Sequence, residues 1–148
     1  MYVALLHTHN ITRWIVLVTA LLALVWALQA WLGNRPFEKR HRFANLAYVA
    51  SMDVQLLIGI ALYVVSPLVQ VALSDMAAAM RIHELRFFAV EHLSIMLAAV
   101  ILAHVGSATV RRAKSDRAKH GRALLWFGLS TIALLAGIPW DRALLPGL

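Results

Sequence analysis

Four long apolar runs decide what this chain can become. They extend from about residue 11 to 32, 43 to 65, 87 to 110 and 123 to 138, and within them the only formally charged residues are Arg13, Asp53 and Glu91. A helix rises about 1.5 Å per residue, so runs of this kind match the hydrocarbon thickness of a bilayer. Three of the four stop at a helix breaker: Gly33 to Pro36 after the first, Ser66 and Pro67 after the second, Pro139 after the fourth. The fourth is short, near the lower limit for spanning. With 61% hydrophobic and 14% charged residues and a mean hydropathy of +0.74, the composition lies outside that of a water-soluble core. The expected fold is all-α: a four-transmembrane-helix bundle in which residues 1–148 form a single integral membrane domain.

The net charge of +7 in a soluble protein would raise nucleic acid as a partner. Here ten of the basic residues sit between apolar runs: Arg35, Lys39, Arg40 and Arg42 after the first, and Arg111, Arg112, Lys114, Arg117, Lys119 and Arg122 after the third. Basic connections are retained on the cytoplasmic side. This places both termini and the middle connection outside, with Arg13, Arg81, Arg86 and Arg142 as their only Lys or Arg. The expected setting is a bacterial inner membrane crossed several times, with lipid as a partner and no nucleic acid. The start MYVALLHTHNITRW has no basic leader region, so a cleaved signal is not expected. The middle connection has loose helical spacing with Ser74 or Asp75 as its N-cap, and Trp14, Trp31, Trp126 and Trp140 fall near run ends, as interface anchors do.

Ionisable groups inside a span cost about 2.5–3.5 kcal/mol on insertion scales, so each needs a partner or a task. Depth sorts them into two layers. Asp53, Gln55 and His104 form an inner layer, Asp53 and Gln55 about 12–18 Å and His104 about 9 Å from the inner ends of their helices. His7, His9, Glu91, His92 and His83 form an outer layer, and only this one offers several imidazoles. Zero cysteines exclude disulfides, thiolate metal sites and covalently attached haem. Non-covalent haem b remains open, with His92 and either His7 or His9 as iron ligands and with Arg13 and Glu91 beside them. Gly59, Gly106, Ala98 and Ala99 would make room for a macrocycle or serve plain helix packing. Three other readings compete: interhelical hydrogen bonds alone, with Asp53 paired to His104; a small copper or zinc site from His7, His9, His83 and His92; or a proton relay through Asp53 and His104. His92 and His104, twelve positions apart, lie about 120° apart round the helix, which disfavours two stacked haems.

Four segments, LHTHNITRW (6–14), VQLLIGIALYVVSP (54–67), LRFFAVEHLSIM (85–96) and AGIPW (136–140), give the chain a resemblance to small bacterial four-helix membrane proteins labelled cytochrome b-like. It covers most of the chain, and the matching polar positions are His7, His9, Arg13, Trp14, Gln55, Arg86, Glu91 and His92. Where the group would carry a histidine two residues before the glutamine of the second helix, this sequence has Asp53. The resemblance implies a membrane subunit of an electron-transfer or respiratory complex that carries one b-type haem near the outer face and exchanges electrons with quinol. The alternative is a cofactor-free structural subunit packed against other membrane subunits. No nucleophile with an adjacent base, phosphate loop or HExxH pattern is present, so no independent catalytic motif supports an enzyme.

The charge distribution makes a direct prediction: a reporter fused after Leu148 reads as periplasmic in a topology assay, and a cytoplasmic signal there would invert the arrangement.

Overall fold

The computed structural model describes residues 1–141, and Arg142, counted above among the outward basic residues, lies outside them. Helix α1 spans Tyr2–Leu32, α2 Lys39–Val65, α3 Pro67–Ser74, α4 Met76–Ala79 and α5 His83–Arg86; a π-helical turn, Phe87–Glu91, joins α5 to α6 (His92–Arg111), and α7 spans Asp116–Gly137. Three segments, Tyr2–Leu32, Lys39–Val65 and His83–Arg111, are long and apolar enough to cross a membrane and mark the chain as membrane-embedded. The first turns of α7 carry Asp116, Arg117, Lys119, His120 and Arg122, so its apolar part begins only near Ala123.

The helices outrun the apolar stretches because polar residues end hydropathy, not hydrogen bonding. Thr8 and Thr12 in α1 fold their hydroxyls back onto the carbonyls of Ala4 and Thr8, each at 2.9 Å, which lets polar side chains sit on an uninterrupted helix. At its far end α1 closes with the Arg35 N–H on the Ala30 carbonyl at 2.9 Å, and Asn34 adopts φ 47°, a left-handed conformation that asparagine tolerates. A capping box starts α2: the His41 Nδ1 accepts the Glu38 N–H at 3.0 Å, and the Glu38 side chain accepts from the His41 backbone. In the middle connection Ser66 caps α3 with Pro67 in its first turn, Asp75 caps α4, and Ser115 caps α7.

Two antiparallel hairpins result, α1 with α2 and α6 with α7, and they close a ring through contacts of α1 with α7 and of α2 with α6. Val16, Ala20, Ala23, Ala27 and Ala30 line the buried face of α1, so small side chains bring its backbone close to its neighbours. At the centre Tyr48 and Phe127 are buried edge to face, with ring centres 5.4 Å apart. The Tyr48 hydroxyl donates to Ser130 Oγ at 2.8 Å, and Ser130 donates to the Ala99 carbonyl at 2.7 Å. Three helices are thereby tied at one level.

Gly106 shows how tightly α6 and α7 meet, because a Cβ there would lie 2.8 Å from both Phe127 Cε1 and Trp126 Cβ. At Gly128 of α7 a Cβ would meet nothing within 4 Å. Gly106→Val should therefore cost about 1–3 kcal/mol through overpacking, while Gly128→Ala should be neutral or stabilise by up to about 1 kcal/mol. Unfolding of both variants in detergent checks the contrast, and equal effects would contradict this packing.

Candidate functional site

At the end of the bundle away from the basic connections, a cavity of about 440 Å³ opens between the two hairpins. Its polar lining includes His9, Arg13, Gln55, Tyr63 and His92, among apolar residues such as Met52, Phe88 and Met96. The volume is that of a typical small-molecule or cofactor site, mostly apolar with a few convergent polar groups.

His9 of α1 and His92 at the start of α6 approach across this space, with ring centres 6.3 Å apart and ring planes inclined by 70°. Each is held by its surroundings. His92 Nδ1 lies 2.8 Å from the Gly137 carbonyl of α7, a contact that fixes Nδ1 as the protonated nitrogen and leaves Nε2 as an acceptor or ligand. His9 packs closely on Gly59, where a Cβ would lie 3.2 Å from His9 Cε1 and push the imidazole back by a few tenths of an ångström. His9 Nδ1 is buried without a hydrogen-bond partner. The helix under His9 is fixed by Gln55, whose Nε2 donates to the His9 carbonyl at 3.0 Å while its Oε1 accepts from the Thr12 hydroxyl.

The π-helical turn ends immediately before His92. Such turns widen a helix and re-aim the residues that follow, and they concentrate at functional sites. Tyr63 donates to the Ala89 carbonyl within it at 2.9 Å, tying α2 to this turn. Phe87 and Phe88 pack on His92 with ring centres 5.8 and 6.2 Å away. Glu91 accepts from Arg86 Nε at 2.6 Å, and Arg86 also donates to the Met80 carbonyl at 3.0 Å. Glu91 thus braces the rim of the site rather than its interior.

The outer layer expected from depth is only partly assembled. His7 is exposed on the far side of α1 from His9, as two positions on a helix require. His83 stacks on Phe87 with ring centres 6.0 Å apart and does not line the cavity. A site built from His7, His9, His83 and His92 is therefore not formed, and among the described residues no three His, Asp or Glu side chains converge as metal ligands. Gln55 moves from the inner layer to the cavity. Asp53, two positions earlier, faces the other way and pairs with His104, with Oδ1 2.8 Å from Nε2.

Sequence reasoning missed a second imidazole pair. His41 and His120 meet at the basic end with ring centres 4.7 Å apart, and Phe37 lies against both at 5.6 and 5.2 Å. His120 is fully buried and neither of its ring nitrogens has a partner. Because His41 Nδ1 accepts a backbone N–H, its Nε2 carries the proton in the neutral ring and is not a free metal ligand. The signal was present in the spacing: His41, Asn45, Tyr48, Met52 and Gln55 form the buried stripe of α2, and His120, Ala123, Phe127, Ser130 and Leu134 that of α7. Extending either stripe backward through the basic segment reaches the histidine.

In comparisons with known proteins, no family model, curated protein or solved structure matches the chain.

Proposed function

We propose that the chain is a four-span inner-membrane subunit of an electron-transfer assembly, holding one b-type haem in the cavity near the outer face. The observation that carries this reading is the His9–His92 pair. The two rings come from separate hairpins and approach to 6.3 Å beside the cavity, so they are the residues that would hold a haem iron there. His92 keeps Nε2 available while Nδ1 is engaged by Gly137, and His9 Nδ1, on the ring edge beside Gly59, is buried without a hydrogen-bond partner. Arg13 lines the same cavity and supplies a cation for a carboxylate of the ligand. When bound, haem supplies one-electron exchange; the chain's own part is to orient the two imidazoles from separate hairpins, exclude water with Phe88, Met52 and Met96, and brace the rim through Glu91 and Arg86. Membrane quinol is the electron partner that suits this setting, being apolar and confined to the bilayer.

The fourth span is supported by packing. Helix α7 lies against both α1 and α6 and contributes the Gly137 carbonyl at the cavity level, so it follows its neighbours across the bilayer despite its short apolar part. Basic connections at the opposite end support the outward placement of the cavity. A cofactor-free accessory subunit is the second reading, favoured by the hydrogen bonds that already engage His92 Nδ1 and the His9 backbone.

Purified, dithionite-reduced protein should show the α-band of a b-type haem. His92→Leu should lose it, because the apolar substitute cannot ligate iron. Glu91→Gln should retain haem with a shifted spectrum or potential. A featureless wild-type spectrum would select the accessory reading, and haem retained at wild-type level in His92→Leu would remove His92 as a ligand.

A further inference from the structure

The Asp53–His104 pair lies on the outside of the bundle. Asp53 is near the middle of the 27-residue α2 and His104 lies within α6, both helices long and apolar enough to span. Their side chains are nevertheless 44% and 54% exposed. The surface around them is apolar: Leu46 and Leu57 on α2 and Leu97 and Ile101 on α6 are all exposed. An acid and a base at this depth, open to acyl chains, carry a heavy desolvation cost unless something polar covers them.

We infer that this face is where a second copy of the chain docks, forming a two-fold symmetric dimer about an axis along the membrane normal. Charge complementarity selects this occupant. Each copy brings one carboxylate and one imidazole within 2.8 Å, leaving Asp53 Oδ2 and His104 Nδ1 unused. A two-fold axis sets the same pair against its twin, so that His104 Nδ1–H of each copy donates to Asp53 Oδ2 of the other. Whichever partner of each pair holds their shared proton, the pair is neutral with Nδ1 a donor and Oδ2 an acceptor, so the two pairs leave no net charge in the bilayer. A partner helix bearing a single charge would bring an ion with no counter-charge to this already neutral pair. Ala50, exposed one turn from Asp53, lets the facing backbones approach closely enough for the short Asp side chain to reach across.

The absence of native cysteine allows a clean test in liposomes containing the full chain. Single reporters Leu57→Cys and Ile101→Cys should be joined across the interface by a short thiol cross-linker. Controls Leu22→Cys on α1 and Leu129→Cys on α7, exposed on other faces, should cross-link at least about fivefold less. Equal yields at all four positions, or no dimer product at the first two, would overturn the proposal. The double variant Asp53→Leu/His104→Leu leaves an apolar surface that a folded monomer tolerates in lipid, and it should weaken dimerisation measured by energy transfer about tenfold or more. Dimerisation unchanged in that variant, with thermal unfolding of the monomer retained, would equally overturn it, as would a different chain found cross-linked at Leu57→Cys in place of the second copy.

Discussion

The buried chain Tyr48–Ser130–Ala99 organises the interior. It is the level at which α2, α7 and α6 are joined by two consecutive hydrogen bonds, and the Tyr48 and Phe127 rings fill the bundle axis there. In an apolar surrounding such bonds have little competition from water, so a donor that lost its partner would find no substitute. The plug divides the interior in two. On one side lies the 440 Å³ cavity with His9 and His92; on the other, close packing of Phe37, His41 and His120. The cavity can exist because the helices are pinned beneath it and need not collapse to fill it.

Depth was readable from the sequence, whereas direction was not. Counting residues from the ends of the apolar runs correctly brought Asp53 to His104 and His92 to a histidine of α1. The same counting placed Gln55 beside Asp53, although residues two apart point about 200° apart round a helix; facing, not depth, sends Gln55 to His9 and Asp53 to the outer surface. His7 and His9 separate for the same reason. The helix starts were set too late because hydropathy ends at Thr, His and basic residues, while the backbone ladder continues through them with side-chain help. That error hid His41 and His120, which fall in segments assigned as connections. The π-helical turn at Phe87–Glu91 has no residue signature that would reveal it.

The two hairpins differ in how they are held. α1 and α2 are stitched along their length by polar contacts: Thr12 with Gln55, Gln55 with the His9 carbonyl, and Thr19 with Ser51 at 2.9 Å. α6 and α7 are joined by the close approach at Gly106 and by Arg122 donating to the Thr109 carbonyl at 2.8 Å. Between hairpins, the ties include Tyr48 to Ser130, Tyr63 to Ala89, Asp53 to His104, and Arg117 donating to the Trp31 carbonyl.

This arrangement gives the site a mechanical logic. His9 belongs to one hairpin and His92 to the other, so any group that engages both imidazoles closes the seam in which the cavity lies. The Asp53–His104 pair spans the seam between α2 and α6 from outside, at a level only two residues along α2 from Gln55, which grips the His9 backbone. α2 is therefore held on opposite faces at one depth: by an acid–base contact toward the membrane and by an amide contact toward the cavity. A shift of α2 that optimised the outer contact would displace Gln55 and, through it, the turn of α1 that carries His9. The cavity and the outer face thus share one helix, whose nearby positions Asp53 and Gln55 point to opposite sides of it.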